Sequence, residues 1–141
     1  MKFLRFAFLL SLLLAAANSV FAQDQDPGWP RKRVENGATL VTYQPQVDEW
    51  KDYNTLTWRQ AFQLTPPGGK LVVGAATLQG TTNVDHEKHL VVIYGIKVLD
   101  TYFPDLDPDS TVKMDQLLRS FIPPLVNISL ERVVAYLPKP E

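Results

Sequence analysis

The chain of 141 residues contains no cysteine. That removes a disulfide framework, a thiolate nucleophile, cysteine-based zinc sites and a lipid-modified cysteine from consideration. Only two histidines are present, His86 and His89, and neither accompanies a nucleophile motif such as G-x-S-x-G. "PPGGK" (66–70) lacks the spacing of a phosphate-cradling loop. Charge of either sign is sparse and mixed, with 14 Lys and Arg against 15 Asp and Glu. The one dense basic run, "RKR" at 31–33, is too short for a nucleic-acid footprint. It suits an edge strand, where cations discourage pairing with other chains. There is no internal repeat and no apolar run of the ~20 residues that cross a bilayer.

What the chain does have begins with an address. "MKFLRFAFLLSLLLAAANSVFA" carries Lys2 and Arg5, an apolar run from Phe6 to Ala17 broken by Ser11, and Val20 and Ala22 at the −3 and −1 positions of a peptidase site. This three-part pattern predicts a secretory signal over 1–22, cleaved before Gln23. The apolar run is too short for a membrane anchor. All the acidic residues follow the segment, so the remaining chain is mildly acidic and long enough for one domain with a core of its own.

Residues 23–30, "QDQDPGWP", are polar with Gly and Pro and read as a flexible leader. In "RKRVENGATLVTYQP" (31–45), Asn36-Gly37 predicts a hairpin with a type I′ turn, because both central residues of that turn need φ > 0. Residues 46–54 read as a connecting loop. "TLTWRQAFQLT" (55–65) then shows near-strict period two, with Leu56, Trp58, Phe62 and Leu64 on one face and threonines on the other. Strands are also expected over 71–82 and 88–103, after turns at 66–70 and 83–87.

Placing Thr65 opposite Leu71 sets Trp58 against Leu78 and Phe62 against Gly74. Placing Thr82 opposite Lys88 sets Leu78 against Val92, Ala76 against Tyr94 and Gly74 against Ile96. All are even positions, so one apolar face should run across three strands, small residues beside large ones. Val91, Ile93 and Leu99 make the other side of the third strand apolar too, so it is expected to be covered on both faces.

One helix is expected within 105–124. Asp107 and Pro108 suit its N-cap and first position, Met114, Leu117, Leu118 and Phe121 form one stripe, and Pro123-Pro124 stop it. The stripe should meet Trp58, Phe62, Leu78, Val92, Tyr94 or Ile96. "VNISLERVVAYL" (126–137) alternates at Ile128, Leu130, Val134 and Tyr136, with Arg132 as the exception, and reads as a last strand. The expected architecture is a single α+β domain over 31–137. It comprises an antiparallel meander, an N-terminal hairpin, one amphipathic helix in the C-terminal half and a final strand, with a free tail at 138–141.

The candidate binding residues are Tyr43, Trp50 and Tyr53, rings in or beside a loop among Asp48, Glu49, Lys51 and Asp52. Flat rings on loops can stack on sugars or apolar ligands. The competing reading is that they close the core over a sheet edge. Trp58, in the apolar row, should be buried. No metal, cofactor or catalytic residue is assigned. His86 and His89 flank a turn where alternate side chains point apart. "DLDPD" (105–109) has the first three ligand positions of a calcium loop, but Ser110 replaces its glycine and Gln116 its glutamate. "NIS" (127–129) matches a glycosylation sequon inside an expected strand. Among 15 acids no pair stands out as an acid and base.

"TLVTYQPQVDEWKDYNTLTWRQAFQL", "GAATLQGTTNVDHEKHLVVI" and "ISLERVVAYL" together carry a resemblance. The chain resembles, over 29–137, the N-terminal region of a family of exported bacterial envelope proteins of proteobacterial type. Its members have a YQPQ-x-D-x-W segment, a T-x-V-D turn and an ISLDR-like last strand. The resemblance implies a periplasmic or secreted location and brings polysaccharide into view as a ligand. No site residue is carried over from it. The expectation is a non-catalytic exported module that binds an envelope protein or a polysaccharide, without nucleic acid and without a membrane span after cleavage. A small carboxylate-dependent hydrolase is the alternative.

Overall fold

The computed structural model describes residues 26–139. The expected signal segment and its cleavage site before Gln23 lie outside the described residues. The elements run β1 (Arg31–Glu35), β2 (Ala38–Thr42), β3 (Gln46–Lys51), β4 (Thr55–Thr65), β5 (Val72–Asp85), β6 (Leu90–Tyr102), α1 (Pro108–Ser120), β7 (Leu125–Ser129) and α2 (Leu130–Tyr136). The strands form one seven-stranded antiparallel sheet ordered β1-β2-β4-β5-β6-β7, with β3 also on β4. The sheet is curled into a half-barrel rather than laid out as a simple meander.

The first hairpin turns at Asn36 and Gly37, with φ of 49° and 80°, and pairs Glu35 with Ala38. Residues 46–54 are not simply a loop. Gln46–Lys51 pair with β4 beyond the point where β2 leaves it, so β2 and β3 lie end to end along one long partner. Pro45 has no N–H to give to a ladder, and the pairing breaks there. Tyr43 N–H still donates to Ala61 O (3.0 Å), and Gln60 Nε2 to Tyr43 O (2.8 Å). The loop shrinks to 52–54, where Asp52 and Tyr53 are both left-handed at φ 52°.

The β4–β5 register is the expected one, with Trp58 opposite Leu78 and Phe62 opposite Gly74. Gly74 is required there: a Cβ would come within 2.6 Å of the Phe62 ring and 2.9 Å of Tyr102 O. The β5–β6 register is not as expected. The turn is His86–His89, and Thr82 faces Ile93, Leu78 faces Val98 and Ala76 faces Thr101. Two bulges in β6 each insert one residue, and each switches which parity points inward. Inward positions pass from Val91 and Ile93 to Ile96 and Val98, then to Thr101 and Phe103. Tyr94, expected on the inner face, is instead 45% exposed. Gly95, at φ 60°, supplies the left-handed residue at the first bulge. Bulges also bend and twist a strand, which favours a curled sheet.

Helix α1 forms as its sequence requires. Asp107 caps it by accepting from Ser110 N–H (2.7 Å), and Pro108 begins it. Leu118 and Phe121 join the buried core with Trp58, Phe62 and Leu78, while Met114 and Leu117 pack at its border. Phe62 also meets Phe103 edge to face, ring centres 5.6 Å apart. Residues 126–137 correct a second expectation, since the strand stops at Ser129. Ser129 Oγ then accepts from Arg132 N–H (3.2 Å) and caps α2. The helix buries Val133 and exposes Val134. Among the described residues, no helix is long and apolar enough to cross a membrane.

Candidate functional site

The described residues of the sheet and of the segment after α1 leave a space between them. A cavity of about 520 Å³ lies between the sheet and the segment that follows α1. Protein cores ordinarily leave voids no larger than a water, whereas this volume is within the range of small-molecule sites. Alternate residues of β4 (Trp58, Gln60, Phe62) and β5 (Ala76, Leu78) form its floor. Phe121, Ile122 and Val126 face them from the segment after α1, and Trp29 closes one side. Among the described residues, the polar lining is confined to Arg31, Arg33, Thr42, Gln60 and Asn127, with no carboxylate or histidine. Gln60 is internally satisfied, since its Oε1 accepts from the Trp58 indole N–H (3.1 Å) while its amide donates to Tyr43 O.

A clasp joins the two edges of the sheet at this cavity. Arg31, on β1, reaches across to donate to Asn127 O on β7 (3.1 Å). It stacks over the Trp29 ring at 4.0 Å and donates to Asp26 (2.7 Å). Asp26 also accepts from Gly28 N–H (2.7 Å), Ser129 N–H (2.9 Å) and Arg132 (3.0 Å). Its side chain is 3% exposed. Burial alone would raise its pKa, but the Ser129 and Gly28 N–H groups and Arg31 outweigh that and hold it below its ordinary 3.8. The leader, expected to be flexible, is therefore packed from Asp26 onward, because this carboxylate needs donors from both edges. Beside the clasp, Trp29 Nε1 and Asn127 Oδ1 are buried without hydrogen-bond partners.

Arg33, two residues along β1, is 40% exposed and pairs with Glu35, 38% exposed. Its guanidinium lies 5.9 Å from the Phe121 ring centre and donates to Phe121 O. The "RKR" run is thus an edge strand, as expected, but Arg31 and Arg33 reach the cavity.

The rings singled out by sequence lie elsewhere. Tyr43, Trp50 and Tyr53 do not line the cavity. Trp50, on β3, is half-buried; its indole N–H donates to Thr82 Oγ1 (2.9 Å), which donates in turn to Tyr53 O (2.9 Å). Tyr53 meets Trp50 edge to face at 5.3 Å and is 73% exposed. No ring contact joins Tyr43 to this pair among the described residues. His89 pairs with Glu131 (2.9 Å) across to α2. Among the described residues, no group of three His, Cys, Asp or Glu could hold a metal. The signal for Arg31 and Arg33 was their i, i+2 spacing, which puts both on one face of a strand. The signal for Trp29 was an indole inside an otherwise polar leader.

Fold and site together define a class, a curled antiparallel half-barrel around an apolar cavity with arginines at one sheet edge. No family model matches the chain, and neither does any curated protein or solved structure.

Proposed function

We propose that this chain is a non-catalytic binding module, exported to the periplasm or beyond, and that its site is the half-barrel cavity. The observation that carries the proposal is a largely apolar cavity of about 520 Å³ whose lining, among the described residues, holds no acid or histidine. Such a lining suits a ligand with a large apolar body. The shifted carboxyl groups, Asp26, Asp107, Asp115 and Glu131, all move downward. A general acid for hydrolysis needs the opposite shift, so these carboxyls give the hydrolase alternative no support.

A neutral naphthylamine dye should brighten on binding the folded chain, and Ala76→Phe, which fills part of the cavity, should weaken that binding. A folded protein that leaves the dye dark would refute the cavity as the site. A second reading, a polysaccharide stacked on Tyr53 and Trp50, rests on the exposure of Tyr53 and on the envelope resemblance. It requires that Tyr53→Ala abolish any glycan-array signal while dye binding persists. Export rests on the Lys2/Arg5 start and the Val20-Phe21-Ala22 end. N-terminal sequencing of protein from an envelope fraction should begin at Gln23, and an intact Met1 would contradict it.

A further inference from the structure

We infer that the cavity takes a single-chain amphiphile with a carboxylate head, its chain among Trp58, Phe62 and Leu78 and its head on Arg33. This rests on the cavity being the binding site. Among the described residues, the charge in the lining is all of one sign, from Arg31 and Arg33. Just behind them, three guanidiniums (Arg31, Arg33, Arg132) share two carboxylates, Asp26 and Glu35, leaving cationic charge in excess.

The two lining arginines are not equivalent. Arg31 is committed to the clasp, through Asp26, Gly28 O, Asn127 O and the Trp29 ring. Arg33 donates to Phe121 O but is partly solvated, and its carboxylate partner, Glu35, is a neighbour on the same strand and comparably solvated. Exposed ion pairs of this kind contribute little, so a ligand carboxylate can take the place of Glu35, which moves into water. The fork of donors on a guanidinium matches a carboxylate in two parallel hydrogen bonds. The position of Arg33 on the edge strand also matters. A head held there stays near water while the chain enters the apolar interior, the arrangement an amphiphile needs and a wholly apolar molecule does not.

The test uses the full chain and displacement of the neutral dye by dodecanoate, dodecanol and dodecylamine, each below its solubility or micellar limit. Dodecanoate should displace the dye at a concentration about tenfold lower than dodecanol, with dodecylamine the weakest. Arg33→Gln should bring dodecanoate to the level of dodecanol and leave dodecanol unchanged. Glu35→Gln, which frees Arg33, should strengthen dodecanoate binding, a change that damage to the fold cannot mimic. Equal displacement by all three compounds, or indifference of dodecanoate to both substitutions, would overturn the carboxylate head while leaving the cavity reading intact. Failure of the dye and all three compounds to bind the folded chain would overturn both.

Discussion

Trp58→Ala should lower the unfolding free energy by about 3–5 kcal/mol. Trp58 is 5% exposed and sits opposite Leu78 on the inner face of β4. Truncation removes the indole from the core and enlarges a void that the fold already tolerates, so little can collapse to offset the loss. Gln60 Oε1 also loses its donor. Trp50→Ala should cost less, about 1–2 kcal/mol, because the ring is only half-buried and Thr82 keeps its bond to Tyr53 O. Urea unfolding of the two variants measures the difference. Equal losses would mean that the Trp50–Tyr53 pair is as much a part of the core as Trp58 is.

Asp26→Asn should destabilise the protein by about 2–4 kcal/mol at neutral pH, the cost of removing one partner from a buried charge cluster whose arginines stay partly hydrated. Both carboxylate oxygens accept hydrogen bonds, one from Ser129 N–H and the other from Gly28, Arg31 and Arg132. An amide must turn an NH₂ toward one of these donors, so it cannot reproduce the set. The pH dependence follows from the lowered pKa of the folded state. The contribution of Asp26 is complete above the ordinary value of 3.8 and is lost as pH falls through the lower folded value. The stability gap between wild type and variant should therefore be widest near neutrality and close in acid. A gap that stays constant into strong acid would show that the carboxylate charge is not what holds the two edges together.

Local pattern carried much of the fold. Asn36-Gly37 specifies its turn because few residue pairs accept two positive φ angles. The alternation of Leu56, Trp58, Phe62 and Leu64 set the β4–β5 register, since a slip of one residue would expose the whole row. Asp107-Pro108 began α1, and Leu118 and Phe121 of its stripe joined the buried cluster that holds Trp58, Phe62 and Leu78. The failures have equally specific causes. β3 was hidden because its ladder resumes after Pro45 on a strand already paired with β2, a relation visible only in the assembled sheet. Unbroken alternation through β6 would point Tyr94 inward, and the register shifts turn it out. Tyr94-Gly95, a glycine inside an apolar strand, was the available sign of a bulge. Ser129 followed by Glu131 was the available sign of a helix start, and it was outweighed by a short run that also alternates.

By itself, the sequence determined the absence of thiol chemistry, the β1–β2 and β4–β5 hairpins and the amphipathic helix. Each depends on residue type or on spacing within a few positions. The tertiary structure alone decided the cavity and the clasp. Arg33, Phe62 and Phe121 are far apart along the chain, and Asp26 meets Ser129 across 103 positions. The bulges lie inside paired strands, and no local pattern encodes how far a sheet must bend before its edges are joined by an arginine.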